Sequence, residues 1–217
     1  MENQASGAKR KSLPKWLSIV LIIGGLILII VGGLQILSGA TAKALVNKFN
    51  DFQEPTTKLG NDLKSAGTLL SSIGPKEQAK DYTGIVADLQ SAVAQLTDAE
   101  VAANSLLTLT AEFKVLINKS SEEDIKTAGL HFIEVSNSRN SAVLKMTADT
   151  KEFINLIIAY YTELSQDKPG TLDESKVATM ADQLTANSQA IAKLSTELET
   201  ATQDLATAAD FTLTKKE

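Results

Sequence analysis

The chain has no cysteine and one histidine in 217 residues. Without cysteine there can be no disulfide framework, thiol nucleophile, thiolate metal site or lipidated N-terminal cysteine. The lone histidine, His131, has Glu134 three residues on. A metal site needs three or four ligands, and no second His–Glu pair of the kind that builds di-metal bundles is present. Gly-rich phosphate loops, nucleophile elbows and the paired-histidine helix of zinc proteases are also missing. No catalytic, cofactor-binding or metal-ligating set can be assembled, and the chain reads as a non-enzyme with no cofactor. The formal net charge is -5. A basic face for phosphates is therefore lacking, which argues against nucleic acid as a partner.

Charge is also missing locally. From Trp16 no charged side chain occurs until Lys43, and the run WLSIVLIIGGLILIIVGGLQIL is apolar apart from Ser18 and Gln35. At ~1.5 Å per residue a helix over 16–38 matches a hydrocarbon core of ~30 Å. The sequence thus predicts one transmembrane helix, a signal anchor, over 16–38. Residues 1–15 carry Lys9, Arg10, Lys11 and Lys15 against Glu2, a net of +3, which leaves -8 for the remainder. Four basic residues precede the span, whereas Lys43 and Lys48 follow it, and the richer side stays in the cytoplasm. Residues 1–15 then form a disordered cytoplasmic tail and residues 39–217 are extracytoplasmic. A competing reading is a secreted form, since Ala42-Lys43-Ala44 fits a signal-peptidase site with cleavage after Ala44. The apolar run is longer than the ~7–15 residues of a signal h-region, which favours retention. Within the span, Ser18, Gly25, Gly32 and Gly39 recur every seven residues. Small residues let membrane helices approach closely, so one reading of this stripe is a homodimer seam; the other is that glycine is simply common in membrane helices.

Beyond the span the apolar positions keep a 3-4 rhythm, the mark of helices that bury one stripe. In the first segment, Leu45, Phe49, Phe52, Leu59, Leu63, Ala66, Leu70 and Ile73 hold phase through Pro55, which predicts a kinked helix ended by Gly74-Pro75. Ile85, Leu89, Leu96, Leu106 and Phe113 mark the second. Ser121 with Asp124 predicts the cap of the third, and Asp167-Lys168-Pro169-Gly170 closes it. Val177, Met180, Leu184, Ile191, Leu194 and Leu198 mark the fourth. Helices are expected at about 40–72, 76–118, 122–166 and 172–211. Short turns force neighbours to run antiparallel, and no strand pattern competes. The expected fold is all-α: one N-terminal transmembrane helix followed by an extracytoplasmic up-down four-helix bundle with coiled-coil-like packing.

One stretch departs from this pattern, the polar middle of the third helix, Ser136–Ser141. Folding the helices back on one another sets Arg139 level with Glu100 and Asp149 level with Asn187. These four residues form a candidate buried polar layer. It reads as a ligand pocket, as a device that fixes register, or as a patch facing water. The functional expectation is a membrane-anchored, non-catalytic interaction, scaffold or spacer module of the cell envelope. Its partners would be the lipid bilayer and a protein, because a 15-residue tail has no room for a signalling domain. The alternative is an extracytoplasmic small-ligand sensor that signals through a partner.

Overall fold

In a computed structural model, residues 36–38, 43–210 and 212–214 are described. They form a short strand β1 (Ile36–Ser38), helices α1 (Lys43–Asn50), α2 (Gln53–Ser71), α3 (Ile73–Gln78), α4 (Tyr82–Ile117), α5 (Glu123–Ser165) and α6 (Glu174–Ala208), and a strand β2 (Thr212–Thr214). The first rod of the bundle is α1, α2 and α3 in succession; α4, α5 and α6 supply the other three. The bundle itself is all-helical. Close backbone seams join α2 to α4, α4 to α5 and α5 to α6, while no comparable seam joins α6 to α2.

The first rod is broken where proline chemistry requires it. Pro55 has no N–H to donate to the carbonyl of Asp51, and its ring crowds that carbonyl, so the helix cannot run through. It ends at Asn50 and restarts at Gln53, which leaves Pro55 in a first turn where a missing donor costs little. Pro75 repeats the device inside α3. The Gly74-Pro75 pair therefore opens a short helix rather than ending the rod, and the expected second helix from residue 76 instead begins at Tyr82. There the Asp81 carboxylate accepts from the Gly84 N–H at 2.9 Å, satisfying one of the free donors of a helix start. The reversal is made by Lys80, in the left-handed region at φ 58. Its N–H donates to Glu77 at 3.0 Å and that of Asp81 to Lys76 at 2.9 Å, a pattern that satisfies the last carbonyls of a helix.

The third rod also starts differently from expectation. Glu122, not Ser121, stands at the cap position of α5, and it makes no side-chain cap bond. The Ser120 hydroxyl instead accepts from the Glu122 N–H at 3.2 Å. α6 is capped by Asp173, which accepts from the Lys176 N–H at 2.9 Å.

The core follows the 3-4 stripes, with aromatics at its two ends. Phe49, Phe52, Phe113 and Phe132 pack together where the chain enters the bundle, with ring centroids 5.3 Å apart for Phe49 and Phe132 and 5.7 Å for Phe113 and Phe132. The three tyrosines close the other end: Tyr82 stacks on Tyr161 at 6.0 Å and Tyr160 meets Tyr161 edge-on at 5.2 Å. Between them the stripe is mostly Leu and Ala, and small residues permit close helix approach. A Cβ on Gly129 would lie 2.4 Å from Ile117 Cδ1, so any side chain there would have to displace Ile117 at the end of α4.

An even number of antiparallel rods returns the chain to the end where it began. There β1 and β2 pair antiparallel, with Ile36 opposite Thr214 and Ser38 opposite Thr212. This corrects the sequence expectation at one point: residues 36–38, expected at the end of a membrane helix, are extended. They lie beside the returning chain, where two extended segments can satisfy each other's backbone groups. The rest of the expected span, residues 16–35, lies outside the described residues, as does the stripe of Ser18, Gly25, Gly32 and Gly39.

Burial along α6 is uneven. Leu184 is 2% exposed, whereas Leu194 and Leu198, expected in the same stripe, are half-buried. Leu184→Ala should cost about 2–5 kcal/mol through lost transfer energy and a cavity. Leu194→Ala should cost less than half as much in the same urea titration. Equal losses would contradict this packing of α6.

Candidate functional site

The polar middle of α5 packs inward. Ser136, Arg139 and Asn140 are buried, with Arg139 6% exposed, while Ser138 and Ser141 face out and Asn137 is half-buried. The spacing explains this: positions 136, 139/140 and 143 continue the buried stripe through Val143, so polar side chains occupy core positions. Arg139 Nε donates to the Ser195 hydroxyl on α6 at 3.0 Å. Its Nη1 lies 3.5 Å from Asn140 Oδ1, the Asn140 amide donates to Ser136 Oγ at 3.4 Å, and Ser136 Oγ is 3.5 Å from the Thr110 hydroxyl on α4. Thr110 also donates to its own helix at Leu106, 2.6 Å away. A run of polar contacts thus crosses the core from α6 through α5 to α4. Burial lowers the pKa of the Arg139 guanidinium, because desolvation penalises the charged form. An arginine stays charged under such a penalty, so the surrounding hydroxyls and amide hold a cation within the bundle.

The four residues of the expected layer are divided by the structure. Glu100 does not meet Arg139; it takes the Lys151 ammonium at 2.6 Å. The turn between Ile117 and Glu123 is centred where the count placed it, so the difference lies in how α5 packs along α4, which sets Lys151 beside Glu100. Asp149 and Asn187 do meet, the Asn187 amide donating to Asp149 Oδ2 at 2.8 Å. Both are half-buried, and Asp149 also takes Lys145 at 2.6 Å, so this pair belongs to the bundle's rim. His131 and Glu134 are exposed. Among the described residues no group of three or more His, Cys, Asp or Glu is placed to hold a metal ion.

Sequence reasoning missed a second polar cluster, at the tyrosine end. Glu77 of α3 is half-buried beside Tyr161, which is 0% exposed. Burial pushes the Glu77 carboxyl above its ordinary range, with the Tyr161 hydroxyl opposing the shift. Burial and the Glu77 charge push the Tyr161 phenol up in turn. Close by, Lys76 donates to Asp88 at 2.6 Å and to the Gly84 carbonyl at 3.2 Å, and the Ser72 hydroxyl also donates to Asp88. Desolvation would raise Asp88, yet the Lys76 and Ser72 hydrogen bonds and the Lys76 charge outweigh it and hold the carboxyl low. The only signal in the chain was the gathering of all three tyrosines near predicted turns.

Comparison of the chain with protein-family models, curated proteins and solved structures finds no match.

Chemically, the Arg139 region offers a charged, hydrogen-bonded core layer, and the Glu77 region a titratable contact between α3 and α5. Neither aligns a nucleophile with a base.

Two predictions follow from the electrostatics. Glu77 binds its proton more tightly folded than unfolded, so its contribution is present at acid pH and is lost as pH climbs from about 4.5 through the raised folded value. Asp88 is the reverse: its contribution is present above 3.8 and is lost as pH falls through its depressed folded value. Glu77→Gln should therefore stabilise the fold at pH 7, with the gain vanishing below pH ~4.5, whereas Asp88→Asn should cost about 1–2 kcal/mol at pH 7. Urea melts across pH 3–8 read both, and a Glu77→Gln loss at neutral pH would refute the burial argument. In the core, Arg139→Ala should cost about 2–4 kcal/mol because it strands the Ser195 and Asn140 groups. Asn187→Leu, at the rim, should change stability by under about 1 kcal/mol in the same melt.

Proposed function

We propose that the chain is a single-pass membrane protein with a cytoplasmic N-terminus, whose helical bundle stands on the extracytoplasmic face of a cell envelope as a non-catalytic interaction, scaffold or spacer module. The observation that carries this reading is the return of the chain to its starting end, where β1 pairs with β2. The apolar run is joined to that end. Helices α4, α5 and α6, of 36, 43 and 35 residues, therefore extend away from the membrane by roughly 50–65 Å. No described helix is long and apolar enough to cross a membrane. With residues 36–38 extended, the anchor in this reading is 16–35, still ~30 Å of helix. The basic residues before Trp16 orient it, and of the expected stripe Ser18, Gly25 and Gly32 would face a second copy in the bilayer, with Gly39 falling beyond the shortened helix.

The chain should resist alkaline carbonate extraction, and protease added outside spheroplasts should digest the bundle while the tail before Trp16 stays protected. Release by carbonate, or a mature N-terminus at Leu45, would overturn the anchor.

The cation layer around Arg139 favours a second reading, a small-ligand sensor that signals through a partner. Melting of the full chain in detergent with metabolite pools separates the two: a large ligand-linked rise in Tm supports the sensor.

A further inference from the structure

Helix α4 carries a second periodic face, opposite the one it buries. Exposed positions repeat every seven residues from Ala87 through Ala94, Val101, Thr108 and Val115, and the residue three on from each is also exposed. None of these positions is charged over a run of ~48 Å. The outer faces of the other rods are different: Glu54, Lys58 and Lys64 stand on α2, Glu134, Lys145 and Glu152 on α5, and Asp182, Lys193 and Glu199 on α6, all exposed. The exposed large hydrophobics among the described residues are Val101, at 57%, and Val115, at 54%, and both lie on this face.

Three polar members of the face bond within the helix. Thr97 donates to the Val93 carbonyl at 3.0 Å, the Asn104 amide to Glu100 at 2.9 Å and Thr108 to Asn104 at 3.2 Å, so covering them strands few donors. Two of the flanking acids are ion-paired with the chain's own lysines: Glu100 with Lys151 at 2.6 Å and Glu112 with Lys48.

We propose that this face of α4 docks a second copy of the same chain, side by side and parallel, about a two-fold axis along the bundle. Charge selects the occupant. A partner of different sequence would be recognised by complementary charges, which this face lacks. Copies with -8 beyond residue 15 repel over their acidic faces and can approach here without juxtaposing like charges. A two-fold axis along the helix sets each heptad position against itself, Val101 on Val101 and Val115 on Val115. A strip ~48 Å by ~10 Å buries roughly 1,000 Å² in total, at the lower edge of specific interfaces. Such a pair is weak in dilute solution and favoured where both copies share one membrane. The parallel orientation rests on the membrane-anchored reading; the choice of face does not.

The absence of cysteine makes the test direct. Val101→Cys and Val115→Cys are introduced singly into the full chain, with Gln189→Cys and Thr196→Cys on the outer face of α6 as controls, and membranes are oxidised mildly. Both α4 variants should yield a disulfide-linked homodimer as the main product, at least tenfold above the α6 controls. Adding Val101→Glu to Val115→Cys should cut that yield about tenfold without lowering Tm. Yields equal to the controls, or a main product with another protein, would overturn the proposal. Crosslinking at one valine alone would overturn the parallel register, since an antiparallel pair opposes like residues only near its axis. If the chain is found in the soluble fraction, the anchor fails separately. The same variants oxidised there at high concentration still test the face, and yields no higher than the α6 controls would overturn it.

Discussion

Each rod of this molecule is held by burial of a single stripe, about three residues in seven, against its neighbours. A helix of 43 residues such as α5 gains little from intrinsic propensity compared with what its apolar face gains by leaving water. The stripe therefore sets which way each helix faces, and the short turns set which helices meet. The prolines obey the same constraint. Pro55 and Pro75 interrupt the backbone hydrogen bonds of the first rod, but each falls in a first turn, and the buried positions Phe52, Leu59, Leu70 and Ile73 keep phase across both breaks.

Most of the buried aromatics stand at the ends of the core, four phenylalanines at the entry end and the tyrosines at the far end, with Phe153 between them. Between them, Ala92, Ala99 and Ala103 at 0% exposure allow the rods to lie close. The polar residues of α5 enter the same core, held there by hydrogen bonds. Arg139 reaches Ser195 on α6, while Ser136 reaches Thr110 on α4. Such contacts are directional, unlike apolar packing, so they favour one axial alignment of three rods over slipped alternatives. The same groups would be stranded by a slip of one turn, which is why polar residues at core positions can specify register even where they add little net stability.

The two faces of α4 divide the labour of the bundle. The inner one is a packed stripe from Ile85 to Ile117; the outer one is uncharged and flanked by Glu100 and Glu112, each ion-paired with a lysine of the same chain. Chain entry and exit lie at one end of the bundle, which leaves the outer face of α4 clear of both termini along most of its length. A chemical reaction would call for converging groups around a cavity, and the described polar residues instead run through packed core or along open faces.

The four rods, the approximate limits of the last two and their antiparallel order were legible in the 3-4 rhythm and the turn residues, because burial periodicity is a local property that survives any tertiary arrangement. So was the Asp149–Asn187 meeting, since counting about the turn between Ser165 and Glu174 set those two residues level and the packing kept them so. The Glu100–Arg139 level was not legible. The turn from Ile117 to Glu123 is centred where the count placed it, and only the packing of α5 on α4 set Lys151 rather than Arg139 beside Glu100. The fate of Gly74-Pro75 was likewise tertiary: proline permits both a stop and a first turn, and the burial of Ile73 against the core selected the second. The Glu77–Tyr161 contact and the pairing of residues 36–38 with 212–214 join positions far apart in the chain. Only the folding of an even number of rods brought them together.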